Sequence, residues 1–371
     1  MEWMPPPDGI ECAMLVGVEL PASEEKASVE KITIIGIDLA KRVFQLHGAT
    51  ADGRAVLRRK VSRGQLLSFL AGQLPAEVAM EACATAHHWG RAIAELGHEV
   101  RLIPAVYVKP FVRRQKNDTN DAEAIAEAAS RPTMRFVALK TEDQQARSMI
   151  FRTRDLLVRQ RTQLINALRG HLAEHGIVAA KGLCNVKVLT AALGDSDGGS
   201  MHPLVRELGQ QYLEHIDRLT TKITELEQHL HRLSKDDETA VRLQTMPGIG
   251  PITAAAIEAF APPMATFRRG RDFAAWLGLV PRQHSSGGKQ RLGRTSKAGQ
   301  RDIRRLLIIG AMAVVRWATR KGAPEGSWLA RQLARKPRLV VAIALANKMA
   351  RSVWAMMSKG EDYQGSALAP A

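Results

Sequence analysis

Two aspartates three positions apart, Asp118 and Asp121, stand in the run Q-K-N-D-T-N-D-A at residues 115–122. The run reads as the start of a helix, and positions i and i+3 of a helix share a face, so both carboxylates can address one point. Two acids aimed at one point repel unless a cation lies between them, and hard Mg²⁺ is the usual choice for carboxylate oxygens. Capping and dipole compensation at a helix start is the competing explanation of the pair. Two further acids favour the metal. Asp38 follows an apolar run at residues 31–37, and Glu81 follows another at 77–80. Both runs read as strands, and ligands of open α/β sheets gather at strand carboxyl ends. A lone acid there is often only a turn residue; four acids at matching points of one topology form a candidate tetrad.

A second chemical region lies in the last third. Residues 246–251 read M-P-G-I-G-P and lead into an apolar helix. This resembles a helix-hairpin-helix turn, whose backbone N–H groups, here around Gly248 and Gly250, can grip phosphate at a helix start. Further on, Arg282, Lys289, Arg291, Arg294 and Lys297 surround Ser285-Ser286-Gly287-Gly288, and residues 268–305 hold eleven Lys or Arg against Asp272 and Asp302. A Ser-Ser-Gly-Gly loop is by default a flexible turn; among cations it can also carry a hydroxyl nucleophile beside a phosphodiester. No Ser-His-Asp triad is legible, and His284 is too near in sequence to be taken as a base. The run His171-Leu172-Ala173-Glu174-His175 matches the inverted zinc-protease pattern H-x-x-E-H. Gly176 ends the helix at once and nothing supplies a third ligand, so histidines near the negative end of a helix dipole are the better explanation.

The elements that must position these groups follow from periodicity. Strands are predicted at 31–37, 43–49, 54–61, 77–80 and 99–103, the second and third joined through the turn signal Ala51-Asp52-Gly53. Helices are predicted at 65–72, 89–96 and from Asp118. The order of strand, hairpin, helix, strand, helix, strand, helix is that of a ribonuclease H-like mixed sheet. The run Ala86-His87-His88-Trp89 after Glu81 has no assigned role. Residues 142–173 read as a basic helical stretch, 182–202 as a Gly/Ser/Asp-bearing connection. Ile216, Leu219, Ile223, Leu226, Leu230 and Leu233 then form a heptad seam, which suits an antiparallel helical hairpin or a coiled coil between subunits. Further helices are expected at 252–260, 301–317 and 338–354.

Composition bounds the rest. The 371 residues carry a formal net charge of +16, which argues for a polyanionic partner. Aromatics are only 5%, so base stacking is not the expected mode of contact. Residues 1–30 run against the trend, with seven acids against Lys26 alone, and read as a poorly ordered tail. Cys12, Cys83 and Cys184 are too scattered for zinc or a disulfide framework and suit a reducing cytoplasm. The most apolar stretch, residues 306–315, is too short to span a bilayer. A cytoplasmic protein without a membrane partner is expected.

Taken together, G-I-D-L-A-K (36–41), M-E-A-C (80–83), K-N-D-T-N-D-A (116–122), P-G-I-G-P (247–251) and G-L-V-P…S-S-G-G…S-K-A-G (278–299) resemble the DEDD transposases of bacterial insertion sequences. This is the IS110 family, which includes the Piv-like invertases; the S-S-G-G form is similar to its subgroup with terminal inverted repeats. The resemblance covers about residues 31–357. It implies a fold of the α/β plus α kind: a ribonuclease H/RuvC-like catalytic domain at 31–140 and a helical, coiled-coil linker at 141–240. A mainly helical C-terminal transposase domain follows at 241–357, with tails at 1–30 and 358–371. It implies that Asp38, Glu81, Asp118 and Asp121 are the Mg²⁺-binding tetrad and Ser286 the nucleophile, with Ser285 the second candidate. The implied partners are DNA (element ends and target), a structured guide RNA and further copies of the chain in a dimer or tetramer. The rival functions are a metal-only nuclease of the Holliday-junction resolvase kind and a non-catalytic nucleic-acid-binding protein.

Overall fold

The run I-I-G-I-D forms strand β1 (Ile34–Asp38) because both of its faces are buried, the condition under which a strand reads as a continuous apolar run. The computed structural model describes residues 31–112, 118–194 and 201–364. The expected tail at 1–30, the basic run 113–117, residues 195–200 and the last seven residues lie outside the described part, as do the side chains of Asp118 and Thr119. After β1 come β2 (Val43–Ala49), β3 (Ala55–Ser62), α1 (Leu66–Ala71), β4 (Glu77–Glu81), α2 (Ala86–Ala94), β5 (Glu99–Ile103), α3 (Ala105–Val108) and α4 (Asp118–Ala129). The strands form one mixed sheet in the order β3-β2-β1-β4-β5. β1, β2 and β3 are antiparallel neighbours, and β4 and β5 extend the sheet in parallel with β1.

Alternation along the strands assigns the two faces. Ile35, Ile37, Val78 and Met80 share one core with Leu66, Leu70, Trp89 and Ile93 from α1 and α2. Ile34, Ala79 and Ile103 share the other with Ala124, Ile125 and Ala128 of α4. The helix lies so close to the sheet that a Cβ on Gly36 would stand 2.7 Å from the Ala126 nitrogen.

Thr141 and Gln144 form a capping box that starts α5 (Glu142–Ala173), a helix of 32 residues. The predicted connection that follows contains a helix, α6 (Val186–Gly194), whose Leu189 and Leu193 are buried. Their i,i+4 spacing outweighs the turn-forming residues around them, and Leu193 packs into the space left by Gly209, where a Cβ would meet its Cδ1 at 2.8 Å. Gly209 belongs to α7 (Pro203–Lys235), which returns antiparallel along α5. Arg154 Nε donates to Glu227 at 2.9 Å and Arg161 to Thr220 at 3.2 Å, which fixes the direction. The heptad seam is therefore the inside of a helical hairpin within one chain. Ile216, Leu219, Ile223 and Leu230 are buried, and Leu226 and Leu233 half-buried. Each fully buried aliphatic side chain contributes about 2 kcal/mol, against about 0–1 kcal/mol for an ion pair near the surface. The seam, more than the arginines, holds the hairpin.

Phe151 and Leu230 extend the base of the hairpin into the largest core, built by α8 (Glu238–Gln244), α9 (Pro251–Phe260), α10 (Gly270–Trp276), α11 (Arg301–Lys321), α12 (Trp328–Leu333) and α13 (Arg338–Lys359), while the short strands β6 (Pro281–Gln283) and β7 (Leu292–Thr295) between α10 and α11 stay outside it. By length and composition α13 passes for a membrane span, which the sequence reading did not single out. It packs Val341, Leu345, Met349 and Val353 into this core. The turn that leads into α9 meets α11 where Gly248 and Gly310 touch backbone to backbone. A Cβ on Gly310 would overlap the Gly248 carbonyl oxygen. Gly310→Ala is expected to destabilise the protein by about 1–3 kcal/mol, the usual cost of overpacking. Urea denaturation measures it, and an unchanged midpoint would show that the turn can move off α11 freely.

Candidate active site and nucleic-acid interface

β1 and β4 are parallel neighbours with Ile37 opposite Met80, so Asp38 and Glu81 end adjacent strands side by side. Both occupy positions that alternate with the core of α1 and α2, which puts them on the face covered by α4. α4 begins at Asp118, and its Ala122 carbonyl sits against Gly36. Asp121 precedes Ala122, and Asp38 is two residues from Gly36, about 7 Å along a strand. One helix-to-sheet contact thus brings Asp38, Glu81 and Asp121 to the same region. Among the described residues no three acidic, His or Cys side chains already converge enough to hold an ion. The donor set, carboxylate oxygens alone, suits a hard divalent cation.

The Ser-Ser-Gly-Gly segment is the tip of a β-hairpin formed by β6 and β7, where the sequence had suggested a loop. Gly287 and Gly288 have φ of +55° and +76°, and the Lys289 N–H donates to the Ser286 carbonyl at 3.1 Å. Two successive positive φ values make a type I′ turn, which glycine adopts without strain and which matches the twist of the flanking strands. Ser286 is the first residue of that turn and is exposed. The Ser285 hydroxyl is engaged, accepting the Arg291 N–H at 3.2 Å. The Ser286 hydroxyl has no hydrogen-bond partner among the described residues. Arg282 is pinned to the hairpin base through the Ser296 carbonyl at 3.3 Å. Lys289, Arg291 and Arg294 stand exposed along the arms.

The base of the hairpin is tied to the helices by hydrogen bonds. Ser296 and Lys297 donate backbone bonds to Val280 and Gly278, and Lys297 takes a left-handed φ of +55° to do so. Arg304 of α11 donates from Nη1 to the carbonyls of Leu277 and Ala298, at 2.8 and 2.7 Å, clamping both arms to the end of α10. Burial holds its guanidinium below its ordinary pKa, with Arg301 adding repulsion. Among the described residues the hydrogen bonds of residues 281–297 do not reach the sheet unit. The backbone therefore places three of the acids at one end of the sheet, and no hydrogen bond among the described residues ties Ser286 to them. Gly250 is exposed at the N-cap of α9, whereas Gly248 is half-buried against Gly310.

Where the sheet unit meets the helices, His87 gains a role. Its Nδ1 accepts the Lys140 N–H at 3.3 Å, and Arg91 donates to the Lys140 carbonyl at 2.9 Å and to Gln145 at 2.6 Å. Burial, then Lys140, Arg91 and Arg152, lower the His87 pKa, so the imidazole is neutral at pH 7. Burial and Arg152 likewise lower Lys140, against the pull of Asp302, and its ammonium lies 5.2 Å from the Phe260 ring. In α9, burial and then Asp237 push Glu258 up to about 7, opposed by Arg147. None of these groups repeats or matches a motif, so only their burial shows them.

Two family models match the chain on these regions. DEDD_Tnp_IS110, a transposase model, matches residues 35–177, and the Transposase IS116/IS110/IS902 family model matches residues 240–324. The transposase for insertion sequence element IS1328 of Yersinia enterocolitica is 43% identical over 329 residues, 89% of this chain and 98% of its own length. The chain belongs to the IS110 family of transposases. The transposase for insertion sequence element IS1111A of Coxiella burnetii is 40% identical over 342 residues, 92% of this chain and 94% of its own. The enzyme is thus an insertion-sequence transposase. The family implies a divalent metal cofactor, which the acid cluster fits, and transposases act on DNA.

The hairpin geometry makes a direct prediction. Gly287→Val places a β-branched residue at φ +55°, which it tolerates poorly. The transposase is expected to keep its melting temperature, because the tip is exposed, while the amides of His284 and Lys289 lose hydrogen-exchange protection. Retained protection would mean that the turn does not hold Ser286 in place.

Proposed function

We propose that the transposase cuts and rejoins DNA strands through Ser286, working with a metal site formed by Asp38, Glu81, Asp118 and Asp121. The observation that carries the reading is the hairpin tip, where a serine with an unengaged hydroxyl is presented among Lys289, Arg291 and Arg294. Ser286 Oγ attacks phosphorus, an Oγ–P bond forms, and the P–O bond to the leaving sugar oxygen breaks. The hydroxyl proton passes to solvent, and the leaving oxygen gains one. Attack by a second strand's hydroxyl then reverses these changes and releases the serine, so the bond energy is kept without ATP. Lys289, Arg291 and Arg294 stabilise the charge that builds on phosphorus. The metal, Mg²⁺ by the chemistry of its donors, would neutralise and polarise the phosphate when bound.

The sheet order β3-β2-β1-β4-β5 supports a ribonuclease H/RuvC-like reading of the unit from β1 to α4. The exposed tip, with no hydrogen bond to the sheet unit among the described residues, supports a site completed by a second copy in a dimer or tetramer. With the seam of α7 used inside the chain, that copy docks elsewhere. The charge outside residues 1–30 suits a structured guide RNA besides the DNA ends and target.

Asp38→Asn, Glu81→Gln, Asp118→Asn and Asp121→Asn are each expected to lose strand exchange by about a thousandfold or more with normal melting curves. Mixing Asp121→Asn protein with Ser286→Ala protein should restore partial exchange. Two tetrad variants recombining at wild-type rates would end the metal assignment. Full cleavage by Ser286→Ala would leave the metal-only nuclease.

A further inference from the structure

The edge of the sheet beside the acid cluster carries a second concentration of charge. Residues 41–63 contain Lys41, Arg42, Arg54, Arg58, Arg59, Lys60 and Arg63 against Asp52 alone. Edge strands carry cations to block pairing with other chains, and β3 is an edge strand. That accounts for the residue type but not for how these cations are placed. Arg58 is paired with Glu123 of α4 at 3.6 Å. Arg59 lies over the Phe69 ring and Arg63 over Trp89, on the opposite face. Lys41, Arg42 and Lys60 are exposed, and none has a carboxylate partner among the described residues.

The register places these three beside the acids. Asp38 is opposite Gln45, and Gln45 is opposite Lys60. Residues directly opposite in antiparallel strands point to the same face, so Lys60, Gln45, Asp38 and the neighbouring Glu81 form one row on the face of α4. Two strand spacings put the Lys60 backbone about 10 Å from that of Asp38, within reach of a phosphate held there by an extended lysine. Lys41 and Arg42 lie in the connection immediately after Asp38, and the Arg63 N–H donates to the Arg42 carbonyl at 2.9 Å, closing the strip.

We propose that Lys41, Arg42 and Lys60 form a phosphate-binding strip that carries the DNA strand being cut across the carboxyl edge of β1. The proposal rests on the tetrad reading for which strand lies there. A carboxylate cluster repels a polyanion, and three cations without carboxylate partners among the described residues, one in the row and two just past the end of β1, offset that repulsion at the entry to the site. Lys60 holds the strand on the side of the acids away from β4, while Lys41 and Arg42 follow it past the strand ends.

The test uses the full-length transposase in an Asp38→Asn background, so that it does not depend on cleavage. Lys60→Cys, carrying a short photo-crosslinker, is expected to capture element-end DNA within a few nucleotides of the scissile position. The same label at exposed Lys336→Cys, between α12 and α13, should not. The triple variant Lys41→Gln, Arg42→Gln and Lys60→Gln should flatten the dependence of log affinity on log salt by about two to three and keep its melting temperature. Crosslinks to RNA, crosslinks only to distant DNA, or an unchanged salt slope would overturn the proposal. Cleavage surviving in Asp38→Asn alone would instead overturn the tetrad reading, so the two failures are distinguishable.

Discussion

The arrangement of the catalytic half depends on the contact of α4 with the backbone of β1 at Gly36. A side chain there would collide with the Ala126 nitrogen, and the helix would have to lift from the sheet. Because it does not, the helix that starts at Asp118 lies directly on the face bearing Asp38 and Glu81. The small residues Ala122, Ala124, Ala126 and Ala128 serve the same end. Close packing brings negative groups together, and the price is mutual repulsion. A divalent cation would relieve it, and the proposed strip of Lys41, Arg42 and Lys60 would moderate it for an incoming strand.

The C-terminal half solves the opposite problem. The proposed nucleophile must be held in a defined geometry yet remain accessible to a polymer substrate. The I′ turn fixes Ser286 locally, and the Arg304 clamp fixes the hairpin base, while the tip stays in solvent. An acid cluster at the sheet end and an exposed serine tip, with no hydrogen bond between them among the described residues, fit the proposal that cutting waits on assembly.

Much of this was legible in the sequence. β2, β5 and α5 run as their periodicity predicts, because apolar alternation and the Thr141 cap act locally. The strand ends at Asp38 and Glu81 follow from the same patterns. What escaped depends on partners distant in the chain. The heptad seam was evident, but not that α5 would cover it. α6 was hidden because turn-forming residues dominate its neighbourhood while only Leu189 and Leu193 mark its buried face. The hairpin was read as a loop because β6 and β7 have three and four residues, almost wholly exposed, without a buried face to set an alternation. Gly-Gly was the one signal for its turn. His87 and Lys140 meet across the junction of two units, which no motif records.

The central claim is that the serine at the hairpin tip becomes covalently joined to DNA. The direct measurement is mass spectrometry of peptides from transposase trapped on a nicked element-end substrate, from which the leaving strand diffuses away. The account predicts a nucleotide-modified peptide with the added phosphate on Ser286 and none on Ser285. Cleaved DNA free of peptide, or a modified residue outside the 281–297 hairpin, would contradict it.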